Sequence, residues 1–111
     1  MIKILIVDDH AIVRDGLKRI INETSGMKVV AEAENGQIAL DIIYNKVSID
    51  FVILDISMPG RSGLDILKDI KIYNDEISVL MLSMHAQDQY AIRTLKAGAS
   101  GYLTKESAST L

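Results

Sequence analysis

Apolar residues gather in four short continuous runs, Ile4 to Val7, Val29 to Ala31, Phe51 to Leu54 and Val79 to Leu82, with a weaker fifth at Gly101 to Leu103. Each predicts a strand, and the lack of polar alternation suits strands covered on both faces, as in a parallel sheet. Strand starts near residues 3, 28, 50, 77 and 100 leave 22 to 27 residues per step, enough for a strand and a crossover helix each time. The intervening segments carry the helical period. Val13, Leu17, Ile20 and Ile21 form one stripe and Gly63, Ile66, Leu67 and Ile70 another, with shorter ones at Ala39, Ile42, Ile43 and at Ile92, Leu95, Ala99. Turn signals separate them at Asn35-Gly36, Pro59-Gly60 and Gly98. Strands alternating with helices imply an α/β fold, a doubly wound five-stranded parallel sheet with right-handed crossovers and helices on both faces.

Length and composition narrow this further. At 111 residues the chain is expected to form one domain spanning 1–111, and 49% hydrophobic with 24% charged residues is the balance of a packed fold. Without cysteine there is no disulfide framework, thiolate metal site or thiol nucleophile. A net charge of −3 opposes a phosphate-neutralising surface, so nucleic-acid binding by these residues is disfavoured. The longest aliphatic runs hold four residues, far short of the roughly 20 of a membrane span, so the expectation is a cytoplasmic protein with no membrane partner.

In a doubly wound sheet the functional crevice lies beyond the carboxyl ends of the strands. Strand one delivers Asp8-Asp9 there, strand three Asp55, strand four Ser83 and strand five Lys105, while strand two ends near Glu32 to Glu34. Carboxylates so close repel unless a cation sits among them, and hard oxygen ligands of this kind suit Mg²⁺. A carboxylate can attack phosphorus while a metal and a lysine neutralise the phosphoryl oxygens, so phosphoryl transfer to an Asp is expected. Each residue also has a plainer use. Asp8-Asp9 could cap the first helix, Asp55 could open the turn ending at Pro59-Gly60, Ser83 could cap the helix after it, and Lys105 could be a solvated surface lysine. Their conjunction at one sheet edge favours the functional reading.

These residues stand in motifs: Ile4-Leu5-Ile6-Val7-Asp8-Asp9-His10, Asn35-Gly36, Asp55-Ile56-Ser57-Met58-Pro59-Gly60 and Gly98-Ala99-Ser100-Gly101-Tyr102-Leu103-Thr104-Lys105. Over essentially its whole length the chain resembles the receiver domains of bacterial two-component response regulators. Asp8-Asp9-His10 and the Gly-Ala-Ser-Gly-Tyr-Leu stretch look most like the NarL/FixJ (LuxR-type) subfamily. The resemblance implies the strand order 2-1-3-4-5 and a phosphoryl group passed from a sensor histidine kinase to Asp55. It further implies Mg²⁺ ligated by Asp9, Asp55 and the Ser57 backbone carbonyl, with Asp8 acting through water and Lys105 pairing with the acceptor. Ser83 and Tyr102 would form the switch, and Ser57 and His85 would tune dephosphorylation. His10 matches the subfamily and is expected beside the site or on the surface, not as a ligand. One departure is Glu106 after Lys105, where many receivers have Pro.

Rival functions are weaker. Haloacid-dehalogenase-type phosphatases also use an Asp nucleophile with Mg²⁺, but they need a second Asp two residues on as general acid, and here that position is Ser57. The expectation is thus a phosphoacceptor, not a turnover enzyme on external substrates. Flavin phosphate needs a donor-rich loop after strand one, which Asp8-Asp9 would repel. A phosphorylation-independent interaction module would be favoured had Asp9, Asp55 or Lys105 been missing. The resemblance implies homodimerisation on phosphorylation and DNA contact only through a C-terminal domain absent here, with a stand-alone phosphorelay receiver as the alternative. Receivers of this family finish with a fifth helix beside the first. Only Glu106 to Leu111 follow Lys105, so that helix is expected to be truncated and the stripe from Val13 to Ile21 left partly uncovered.

Overall fold

In the computed structural model, which describes residues 1–45, 47–56, 60–83 and 89–104, the run from Ile4 to Val7 is wholly buried. It lies in β1 (Ile2–Val7), which pairs in parallel with β2 (Met27–Ala33) on one side and β3 (Phe51–Asp55) on the other. β4 (Ser78–Ser83) and β5 (Gly101–Thr104) complete a parallel sheet of order 2-1-3-4-5. Between the strands run α1 (Ala11–Asn22), α2 (Gly36–Tyr44), α3 (Gly63–Tyr73) and α4 (Gln89–Lys96).

Successive side chains of a strand face opposite sides of a sheet, and both sides here are apolar. Leu5, Val7, Val52, Leu54, Val79 and Met81 pack with α2 and α3, whose Leu40, Ile43, Ile66, Leu67 and Ile70 are buried. Ile4, Ile6, Ile53 and Leu82 face the other way, against Ile21 and Leu17 of α1. That two-sided burial is why the strands read as unbroken apolar runs. Between Ile4 and Leu5 the pairing of β1 with β2 steps by one residue, Ile4 lying opposite Val29 and Leu5 opposite Ala31.

Asn35-Gly36, predicted as a turn, opens α2. The Asn35 side chain accepts the Ile38 N–H at 2.9 Å, and a Cβ on Gly36 would fall on the Ile66 side chain, so the bare glycine lets α2 close on α3. Gly98 ends α4 with φ 111°, a conformation that favours glycine. The stripe of Ile92, Leu95 and Ala99 is corrected in part by the structure, for Ala99 is buried as expected. Ile92 and Leu95 are 58% and 49% exposed, whereas Thr94 is fully buried.

On the α1 face a groove is lined by Leu17, Ile20, Met27, Phe51, Leu80 and Leu103. Val13, Leu17 and Ile20 are half-buried and Ile21 is buried. The expected fifth helix falls on residues 105–111, outside the described residues. Among the described residues no helix is long and apolar enough to cross a membrane.

Candidate functional site

β1 and β3 are adjacent, with Val7 in register with Leu54, so the residues that follow them emerge side by side at the carboxyl edge. Asp8 continues the ladder, donating its N–H to the Ala33 carbonyl at 3.0 Å, and the Ile56 N–H after Asp55 donates to the Leu82 carbonyl at 2.9 Å. The edge backbone is therefore pinned on both sides of the acidic residues. Asp8 and Asp55 are fully buried, and the Asp9 side chain is 27% exposed.

One ligand-capable atom from each of Asp8, Asp9, His10 and Asp55 lies within 4.8 Å of the others. At an effective dielectric near 20, two unit charges at such separations repel by more than about 3 kcal/mol, a cost that a divalent cation among them would remove. The donor set is mostly carboxylate oxygen, which suits a hard cation such as Mg²⁺ better than a soft one. The residues present thus fit a divalent cation.

The structure decides one of the plainer alternatives. The N-cap position of α1 is His10, with no side-chain cap bond, so neither Asp8 nor Asp9 caps that helix. Asp8 Oδ1 instead accepts the His10 backbone N–H at 2.8 Å. Asp55 is the last residue of β3, and Ser83, 3% exposed, is the last of β4. Ser83 follows Leu82, the register partner of Asp55, so the hydroxyl residue comes from the strand next to the central carboxylate. Tyr102 lies on β5 opposite Met81, half-buried against the core. Lys105, Ser57 and His85 lie outside the described residues.

The structure sharpens one expectation at this edge and adds a residue that the sequence did not single out. His10 Nδ1 sits 3.1 Å from Asp8 Oδ1 and 3.0 Å from Asp9 Oδ1, so of the two places expected for this histidine it takes the one beside the site, touching both carboxylates. An Asp-x-His signal for a side chain bonding the backbone two residues on was there to be used. Arg14 of α1 donates to the Asp8 carbonyl oxygen at 2.6 Å, a contact across elements that no spacing announces.

Beside the cluster lies a cavity lined by Asp9, Glu34, Asn35, Gly36, Gly60 and Arg61. The Asp69 carboxylate, 2.6 Å from the Arg61 guanidinium, raises the pKa of that arginine. With its cation engaged on α3, the acidic groups dominate this rim.

The backbone just after Asp55 is held down by Gly63, whose N–H donates to the Ile56 carbonyl at 3.3 Å. A Cβ there would stand 2.7 Å from Ile56 Cα and 2.8 Å from the Asp55 carbonyl oxygen, both backbone atoms that cannot rotate aside. Gly63→Ala is expected to cost about 2–3 kcal/mol as overpacking, lowering Tm by roughly 10–20 °C. A thermal melt followed by circular dichroism checks this, and an unchanged midpoint would mean that the loop yields freely.

Comparison with known proteins gives a concordant picture. Residues 4–111 match the response regulator receiver domain family. The chain is 38% identical over 108 residues to the response regulator UvrY of Escherichia coli strain K12, covering 97% of this chain and 49% of UvrY. Its fold superposes with a TM-score of 0.85 on a LuxR-family two-component response regulator from Aurantimonas sp. SI85-9A1, at 37% identity over 93% of this chain and 73% of that one. On the NarL signal receiver domain of Mycobacterium tuberculosis the TM-score is 0.88, at 31% identity over 98% of this chain and 87% of that one. The chain spans about half the length of the curated relatives it matches.

Proposed function

The chain belongs to the response regulator receiver domain family, in its NarL/FixJ branch, and from this we propose that residues 1–111 form one receiver domain that takes a phosphoryl group from a sensor histidine kinase onto Asp55. Such domains serve signalling, not metabolism. The observation that carries the reading is a buried carboxylate at the end of an inner strand, with the oxygens of two more carboxylates within 4.8 Å.

An Asp55 carboxylate oxygen attacks phosphorus, the P–N bond to the donor imidazole breaks, and the imidazole leaves with the electron pair as the acyl phosphate forms. Asp9, Asp55 and the Ser57 backbone carbonyl would hold Mg²⁺, with Asp8 acting through water. When bound, the ion supplies charge neutralisation at the phosphoryl oxygens. Lys105 offers the phosphoryl group a second positive charge. Ser83, on the neighbouring strand, hydrogen-bonds the new phosphoryl group, and Tyr102 follows it inward. Ser57 and His85 govern the approach of water and hence the lifetime of the acyl phosphate, and the burial of Asp55 keeps bulk solvent from it.

The chain catalyses its own phosphorylation and dephosphorylation and is not a turnover enzyme on external substrates. It works in the cytoplasm, dimerises on phosphorylation and controls transcription through a DNA-binding domain outside this sequence. The relatives' greater length and regulatory names support that output.

Incubation with a small acyl phosphate or phosphoramidate and Mg²⁺ is expected to add one phosphoryl group, about 80 Da by intact mass, and a chelator should prevent it. No adduct in the presence of Mg²⁺ would overturn the function, and equal labelling with chelator would overturn the metal's part in it.

A further inference from the structure

Arg14 sits in the first turn of α1, its N–H bonded to the His10 carbonyl at 3.1 Å. Its side chain, 19% exposed, lies over the carboxyl edge of the sheet. Nη1 donates to the Asp8 carbonyl at 2.6 Å, while Nε reaches Glu32 Oε1 on β2 at 3.3 Å. Lys18, one turn further along α1, holds the other Glu32 oxygen at 3.3 Å. One planar guanidinium therefore joins α1, β2 and the end of β1, aimed by a carboxylate that a second cation steadies. A fork of fixed donors is suited to this, since orienting the plane on one acceptor orients it on the other.

The shortest of these contacts goes to a backbone carbonyl and not to a carboxylate. The Asp8 carbonyl shares a rigid planar peptide with the Asp9 N–H. Holding that oxygen fixes the plane from which Asp9 departs, and Asp9 contributes to the acidic cluster. We propose that Arg14 is a positioning residue of the metal site: by gripping the Asp8 carbonyl it sets the direction of the Asp9 carboxylate. This rests on reading the Asp8, Asp9 and Asp55 cluster as the Mg²⁺ site.

The sign of the effect separates positioning from simple charge. A guanidinium near a cation site repels the cation, so if charge were its only role, neutralising it would tighten Mg²⁺ binding. If Arg14 positions Asp9, its loss weakens binding, as losses of residues that orient metal ligands do. Arg14→Lys keeps the charge but replaces the planar fork with a point donor, so positioning predicts a loss there too and charge predicts none.

The test is calorimetric Mg²⁺ titration of the wild-type chain, Arg14→Gln and Arg14→Lys, with ¹H–¹⁵N spectra of each metal-free protein. Arg14→Gln should weaken binding by about tenfold and Arg14→Lys by less. The Asp9 amide resonance should move in both before any metal is added, while amides of β4 stay in place. Unchanged or tighter binding in either variant, or an unmoved Asp9 amide, overturns the proposal. Should Arg14→Gln fail to fold, Arg14→Lys decides. A wild-type chain that binds no Mg²⁺ would sink the metal-site reading and this inference with it, whereas normal wild-type binding shared by both variants sinks the inference alone.

Discussion

Asp55→Asn should take up no phosphoryl group from a small donor with Mg²⁺, a fall in rate of about three orders of magnitude or more, equivalent to roughly 4 kcal/mol of barrier. The amide is nearly isosteric with the carboxylate but lacks its charge and its nucleophilic oxygen, so the P–O bond has no donor of electrons. Asp55 is fully buried at the end of β3, where a change of volume would be costly, and Asn changes little shape. It also removes one of the clustered negative charges, which lessens the mutual repulsion of the acidic edge. Its amide oxygen can still face a cation, which leaves Mg²⁺ binding weakened but measurable. Intact mass after exposure to donor is the measurement. Full labelling of the Asn variant at the parent's rate would show that another residue is the acceptor.

On the proposed division of roles, with Asp9 a direct ligand and Asp8 acting through water, Asp9→Asn should weaken Mg²⁺ by about a hundredfold or more and Asp8→Asn by on the order of tenfold, because losing a direct ligand costs more than losing an orienting group. Geometry supports that order. The Asp9 carboxylate is partly open and lines the cavity beside the cluster, whereas Asp8 is fully buried and already accepts the His10 N–H through Oδ1. Calorimetric titration of both variants is decisive, and equal losses would refute the division of roles.

Much of the fold was legible because buried parallel strands must be apolar on both faces, and the runs beginning at Ile4, Phe51 and Val79 satisfy that without ambiguity. Strand ends were less legible. Lys3, Glu32, Ser78 and Thr104 belong to strands through ladder hydrogen bonds, which hydrophobicity does not report. In α4 the periodicity pointed the wrong way. Ile92 and Leu95 mark a stripe, but among the described side chains of α4 the buried one is Thr94, because packing against the sheet and α3 overrides a weak local pattern. At the site, Asp8, Asp9, Asp55 and Ser83 could be found because strand ends share an edge. His10 was placed only as far as beside the site or on the surface, since its contact with two carboxylates arises from a local turn. Arg14 was invisible, since its partners lie 6 and 18 residues away and meet it only once α1 is docked.

The one-residue step between β1 and β2 acts as a reading frame for that edge. In parallel strands, paired residues point to the same side, and a slip of one inverts every side chain beyond it. Had the register run unbroken from Ile4 opposite Val29, Val7 would stand opposite Glu32, turning its carboxylate into the apolar layer beneath α2 and α3. With the step, Glu32 is opposite Ile6 and Ala33 opposite Val7, so the small apolar residue enters that layer. The carboxylate comes out beneath α1, where Arg14 and Lys18 receive it. A local irregularity at Val30 thus decides by parity alone which side of the sheet receives the Glu32 carboxylate that Arg14 and Lys18 hold.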